Sequence, residues 1–422
     1  VAFSPTPMTL IQESEIIDII FKQFTAGKES TDADIAITGS TQLVRDLGFS
    51  SVEFVVIFEK IQALRTERIN FIDLIMPDRS TYVEDLSITQ IFQFLNYSPT
   101  AQISKSHTDP YAEQRDVIQK DDIDLLNQAI RHQTYPQEKV NTSIQLCFLL
   151  SAPRSGSTLL RRMLGCHPDI YAPMELHLMS YLDFQQRYQE LSDQDHKHLL
   201  EGTIVARQEV RGMKRSISAA VDQMYARDRR PVSQFFNEID PHLKQKVLVD
   251  KTPTYAFSLS TLERIKQTFP QAKFIHLKRS PNAVIKSMID SELGQLIRFQ
   301  KTSGIHTNRF AEALWCLCEQ NIRTSLHDVS DRAILINYES LVTDPEATMT
   351  QLHEFLGLTP STQIDPYLNQ TNFSKELASQ FAGDLKTYLR KSIDPSVANE
   401  WKKFDSLQWL SPPTQDLLSV HD

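Results

Sequence analysis

Four short apolar runs, each ending in polar residues and each separated from the next by helical patterns, constrain this chain more than any other feature. They are IQLCFLLSAP at 144–153, KVLVDKTP at 246–253, KFIHLKRSP at 273–281 and AILINYESL at 333–341. An apolar run of this length, bounded by turn residues, reads as a strand buried on both faces. Strands that alternate with helices pair in parallel, and the expected fold is an α/β, doubly wound sheet. Ligands of such sheets bind beyond the carboxyl ends of the strands, so all four polar ends belong on one rim.

The first run continues as SAPRSGSTLLRRML, a tight loop that opens a helix. Gly156 lets the backbone pass close to an anion, and the amides of Ser155, Gly156, Ser157 and Thr158 can cradle phosphate at the helix start. Ser157 and Thr158 add hydroxyl donors, and Arg154 adds a charged fork. A Walker A loop requires GxxxxGK followed by Ser or Thr. The Lys is absent, which argues against ATP or GTP.

PRSGST resembles the 5′-phosphosulfate loop of sulfotransferases that use 3′-phosphoadenosine 5′-phosphosulfate. That family has a P-loop-like parallel sheet with helices on both faces. KFIHLKRSPNAVIKSMI repeats strand, turn and helix and resembles the family's 3′-phosphate element, which implies that Arg279 and Ser287 hold the 3′-phosphate. The resemblance covers roughly residues 144–405, including NYESLVTDPEATMTQLHEFLGL, where Tyr338 and Glu339 read as packing and capping residues.

Sulfuryl transfer needs in-line positioning, positive charge on the leaving phosphate and a base for the acceptor hydroxyl. HPDIYAPMELHLM follows the loop helix. In the Golgi tyrosylprotein branch of the family a His-Pro-Asp stretch precedes the Glu that serves as base, and this resemblance puts the role on Glu175. Burial is expected to raise its pKa toward a useful range. His177 titrates near neutrality and competes for the role; it could equally orient Glu175 or be a packed core histidine. In VDKTPTYA the same resemblance sets Lys251 against the transferring sulfuryl group, with Arg154 acting on the same phosphate from the loop side. The plain alternative for Lys251 is a solvated strand-end lysine.

The N-terminal part differs. Residues 1–100 carry 14 Asp/Glu and 7 Lys/Arg, a net of −7 within a chain total of −9. A small acidic unit beside a near-neutral larger one lacks the basic face of a nucleic-acid binder and suits basic surfaces on protein partners. In TLIQESEIIDIIFKQF, Ile16, Ile17, Ile19, Ile20 and Phe24 fall on one helical face. SVEFVVIFEKIQAL reads as a second helix with Ser at its start; a short INFIDLIMPDRS segment and SITQIFQFLN, capped by Ser87, follow. LVRDLGFSSVEFVVIFEKI resembles an acyl carrier protein, which bears phosphopantetheine on the Ser of an LGxDSL pattern. Leu47, Gly48, Phe49, Ser50, Ser51 and Val52 match that run, with Ser50 replacing Asp and Val52 replacing Leu. Ser51 then holds the attachment position, or else it is the N-cap of an ordinary helical bundle. Three segments are expected: a four-helix carrier-like domain at 1–97, a polar linker at 98–143 holding one helix at DDIDLLNQAIRH, and a sulfotransferase domain at 144–422.

A carrier fused to a sulfotransferase resembles the terminal modules of cyanobacterial-type polyketide synthases. That likeness implies sulfation of the β-hydroxyl of a carrier-tethered acyl chain, neighbouring synthase domains as partners, and a downstream thioesterase that releases the chain with loss of CO₂ and sulfate. No GxSxG thioesterase signature occurs in the chain. The alternatives are a sulfotransferase for a free small alcohol or a glycan, with a helical docking module, and a non-catalytic nucleotide-binding scaffold. Four Cys without a CxxC pair, no apolar run near the ~20 residues of a membrane span and no signal pattern give a cytoplasmic expectation. The missing initiator Met points to a piece of a longer chain.

Overall fold

The computed structural model describes residues 11–25, 36–47, 49, 57–58, 60–64, 69, 71–75, 83, 85–96, 117–130, 133–138, 140, 142–192, 196–212, 225–243, 246–290, 307–366, 392–404 and 408–419. The described residues of Val1–His107 and Asp384–Ser392 form one compact unit, and those of Thr108–Gly383 and Ile393–Asp422 form another.

In the smaller unit the first helix, Glu13–Thr25, buries Ile16, Ile20 and Phe24, one side chain per turn. Ile17 and Ile19, expected on the same face, are half-buried at its edges. The helix Ile88–Asn96 begins as expected: Gln90 N–H donates to Ser87 Oγ at 3.2 Å, and Ser87 N–H donates to Gln90 Oε1 at 2.8 Å, a reciprocal capping box. Asn96 clamps the two ends of the unit, accepting from Ile11 N–H at 3.0 Å and donating to Ile11 O at 2.8 Å. The residue proposed for the phosphopantetheine arm, Ser51, lies outside the described residues.

The larger unit is built on a five-stranded parallel sheet: β1 Leu146–Leu150, β2 Ile170–Tyr171, β3 Val247–Lys251, β4 Lys273–Lys278 and β5 Ala333–Asn337, in spatial order β2-β3-β1-β4-β5. The four strands expected from sequence are all present. The fifth, β2, is two residues long and too short to carry a periodic signal. Strand order reverses about β1, so the crevice opens beyond the ends of β1, β3 and β4. Alternation along each strand sorts the side chains. Phe148, Leu248 and Phe274 join the core on one face with Trp315 and Tyr255, while Leu149, Val249 and Ile275 join Leu160 and Leu341 on the other.

The core also reaches back into the stretch expected to be a linker. The helix Lys120–Ala129 buries Ile123 and Leu126 in the first of these cores, flanked by Ile118 and Ile130. Arg309 Nη2 donates to both oxygens of Asp122 at 2.8 Å, and Ile118 N–H donates to Ser411 Oγ at 3.0 Å. The helix expected at DDIDLLNQAIRH is present; its polar composition hid only the docking, because a helix docked by one face exposes the remainder. Among the described residues no helix is long and apolar enough to cross a membrane.

Candidate active site

The loop after β1 is wound tightly before the helix Ser157–Leu164. Arg154 and Gly156 both have positive φ, 66° and 90°. The first is an unusual conformation for a residue with a side chain, of the kind that gathers at ligand sites. The second demands glycine, since a Cβ on residue 156 would lie 2.2 Å from Tyr338 Cε2. Ser155 is fully buried and its hydroxyl has no partner among the described residues. An orphaned buried hydroxyl inside a tight, arginine-flanked loop fits an anionic ligand that completes it.

The turn after β4 meets this loop. Arg279 Nη1 donates to Arg154 O at 2.9 Å, and Arg154 Nε donates to Ser287 Oγ at 3.1 Å. The two anion elements expected from sequence are therefore in contact through Arg154. Arg279 lies over the Tyr338 ring at 4.3 Å, and its Nε has no hydrogen-bond partner among the described residues. Trp315 Nε1 donates to Arg279 O at 3.2 Å, and Ser280 N–H donates to Glu339 Oε1 at 3.0 Å. Tyr338 and Glu339 do pack and cap, as expected, but what they brace is this pair of anion elements.

The third cluster sits at the end of β3. Lys251, on the face covered by the loop helix, is buried rather than solvated. Its Nζ donates to Thr158 Oγ1 at 3.4 Å and makes a short ion pair with Glu175 Oε1. His177 is buried too, with Nε2 at 3.0 Å from Glu175 Oε2 and Nδ1 at 3.2 Å from Thr254 Oγ1. Both ring nitrogens are thus occupied, and the Glu175 side chain keeps more exposure, 17% against 5% for His177. Burial acts to raise the Glu175 pKa, as expected from sequence. The adjacent charge of Lys251 and the hydrogen bonds from His177 and Lys251 outweigh it, and they hold the carboxyl well below the usual carboxylate range. That corrects the expectation of a raised pKa, which considered the carboxylate without its cation. Burial lowers the pKa of His177 against the opposing pull of Glu175, so the imidazole is neutral near pH 7.

The sulfotransferase family model matches residues 147–362, half of the chain and all three clusters. The chain belongs to the sulfotransferase family. The sulfotransferase domain of the Synechococcus PCC 7002 olefin synthase is 30% identical, with 69% of this chain and 99% of that one covered and a TM-score of 0.58. The sulfotransferase domain of the curacin biosynthetic pathway is 29% identical, covering 67% of this chain and 98% of that one, also at 0.58. Protein-tyrosine sulfotransferase 1 of Danio rerio is 24% identical over 61% of this chain and 63% of its own length, so the chain spans less than two thirds of that relative.

Membership in this sulfotransferase family implies 3′-phosphoadenosine 5′-phosphosulfate as donor. Sequence reasoning missed the residues that hold the segment carrying Glu175 and His177. Arg187, fully buried, donates from Nε to His177 O at 2.8 Å and from Nη2 to Leu176 O at 2.8 Å. Gly202 leaves no room for a side chain, because a Cβ there would lie 1.9 Å from Glu175 O. Thr252 and Tyr255 contact the same segment. Their only signal was their place in VDKTPTYA, in which Lys251 alone was singled out.

Proposed function

We propose that this chain transfers a sulfuryl group from 3′-phosphoadenosine 5′-phosphosulfate to the β-hydroxyl of an acyl chain tethered to a carrier domain. The carrier is its own N-terminal unit, residues 1–97, bearing phosphopantetheine on Ser51. The observation that carries this reading is the origin of the two solved domains matched along nearly their whole length, an olefin synthase and the curacin pathway.

In this reading Arg154, Ser155, Gly156, Ser157 and Thr158 hold the 5′-phosphosulfate, and Arg279 and Ser287 hold the 3′-phosphate. The unpartnered hydroxyl of Ser155 and Nε of Arg279 support these assignments. Glu175 takes the proton of the acceptor hydroxyl as its oxygen forms a bond to sulfur. The bond from sulfur to the bridging phosphate oxygen breaks, and Lys251 and Arg154 offset the charge that builds on that oxygen. The products are the sulfate ester and 3′-phosphoadenosine 5′-phosphate. Ion-paired with Lys251, Glu175 is a weak base. An anionic donor that draws the Lys251 charge toward itself leaves a buried carboxylate with less compensation and a higher affinity for protons. His177, neutral, donates from Nε2 to that carboxylate and fixes its direction. The neighbouring synthase domains would supply the β-hydroxyacyl chain, and a downstream thioesterase would consume the ester, with sulfate as leaving group. Tethering holds the acceptor at an effective concentration of about millimolar.

The test loads the full chain with a β-hydroxyacyl phosphopantetheine arm, using the acyl coenzyme A and a phosphopantetheinyl transferase, then adds donor and reads intact mass. The expected result is gain of the acyl arm, then of one SO₃ group, with neither gain in Ser51→Ala. Sulfation of free alcohols or glycans by Ser51→Ala, with no reaction on the loaded carrier, would overturn the tethered reading.

A further inference from the structure

The segment from Glu175 to Met179 has no regular secondary structure, and His177 within it has φ of 46°. A left-handed, non-glycine residue of this kind is strained and persists only where its surroundings over-determine it. The surroundings here converge on one buried carboxylate. Asp250 is the neighbour of Lys251 on β3, and strand alternation sends its side chain to the opposite face of the sheet, where it is 1% exposed. The Thr252 hydroxyl donates to Asp250 Oδ1 at 2.9 Å, and the Tyr255 hydroxyl donates to Asp250 Oδ2 at 3.0 Å. Each hydroxyl, its proton committed to Asp250, presents lone pairs to the segment. Thr252 Oγ1 accepts from Leu176 N–H at 3.2 Å and His177 N–H at 3.4 Å. The Tyr255 hydroxyl oxygen accepts from Leu178 N–H at 3.1 Å and Met179 N–H at 3.3 Å. One carboxylate thereby orients two hydroxyls, and they hold four consecutive amides.

We propose that Asp250 is a positioning residue for sulfuryl transfer, acting through Thr252 and Tyr255 to hold the strained segment that aims Glu175 and His177 at the acceptor. Burial pushes the Asp250 carboxyl up to about 7, with the nearby Glu175 charge adding to it and the two hydroxyl bonds opposing it. Among the described residues Asp250 has no ion-pair partner and feels Lys251 only as a nearby charge, so what it is kept for is the hold on the two hydroxyls rather than stability. The proposal rests on the reading of Glu175 as base.

The experiment compares Thr252→Val, Thr252→Ser, Asp250→Asn and Glu175→Gln in the full chain, following kcat, donor KM, melting temperature and the ¹⁵N imidazole shifts of His177. Displacement of a catalytic group by about 1 Å can cost on the order of 10² in rate, so Thr252→Val and Asp250→Asn should lose about that factor in kcat. Donor KM should stay near wild type and the His177 shifts should move. Thr252→Ser, which keeps the hydroxyl, should retain both rate and shifts. If Thr252→Val lowers only the melting temperature, with kcat and His177 shifts unchanged in the folded enzyme, the positioning role is overturned. If Glu175→Gln keeps its rate while Thr252→Val still moves the His177 signals, the base assignment fails and the hold on the segment stands. Should Thr252→Val not fold, Asp250→Asn and Tyr255→Phe carry the same comparison.

Discussion

Alanine at position 156 probes the joint between the two anion elements. Gly156 has φ of 90° and ψ of 13°, and a left-handed conformation costs an L-residue about 1–2 kcal/mol. The added Cβ would also lie 2.2 and 2.3 Å from Cε2 and Cδ2 of Tyr338, so the ring must move. Tyr338 is buried, 6% exposed, and overpacking of this sort costs about 1–3 kcal/mol. The expected loss for Gly156→Ala is therefore about 2–5 kcal/mol in denaturant unfolding. Because Arg279 rests on the Tyr338 ring at 4.3 Å, donor affinity measured by calorimetry should fall as well. A double-mutant cycle separates the causes. In a Tyr338→Ala background the clash is gone and only the backbone cost of about 1–2 kcal/mol should remain, leaving a coupling of about 1–3 kcal/mol. Equal costs in the two backgrounds would refute the steric argument, and a cost below about 0.5 kcal/mol, the level of an ordinary surface change, would refute both parts.

Three further outcomes are expected. Lys251→Met strands the half-buried Glu175 carboxylate without its cation, so the protein should lose up to about 3 kcal/mol of stability, the low end for a broken buried pair; the Glu175 titration followed by NMR should also move upward, and an unmoved titration would show that Lys251 is not what holds it down. Arg279→Ala should weaken the 3′-phosphorylated nucleotide by about 1.5–3 kcal/mol while barely affecting the analogue without the 3′-phosphate; equal losses would remove Arg279 from the 3′-phosphate site. His353 is fully buried beside the His167 ring at 4.7 Å, and burial with that neighbour lowers its pKa to about 4. The unfolded chain binds the proton near pH 6.5 and the folded one only near 4, so this stability is present above 6.5 and lost as pH falls toward 4. The loss amounts to at most about 3 kcal/mol, and His353→Phe should flatten that part of the stability–pH curve.

Much of this protein was legible in its sequence, for reasons that are local. A strand buried on both faces must be a short apolar run, so β1, β3 and β4 announced themselves; β5, at the sheet edge and only partly buried, showed the same apolar run, and parallel pairing followed from the helices between them. The rim followed from parallel pairing, which is why Arg154, Thr158, Lys251 and Arg279 could be expected at one crevice although up to 125 residues separate two that touch. What the sequence could not decide was which side chain answers which. The Glu175 pKa depends on a lysine 76 residues away, and burial without that cation would have moved it in the opposite direction. Tyr338 looked like ordinary packing because its importance lies in the missing side chain of Gly156. Asp250, Thr252 and Tyr255 showed nothing beyond their place in VDKTPTYA, since a hydrogen-bonded relay needs only that its atoms meet in space. Local periodicity determines where strands and helices form. The electrostatics and aim of the site come from contacts that exist only once the sheet has brought its ends together.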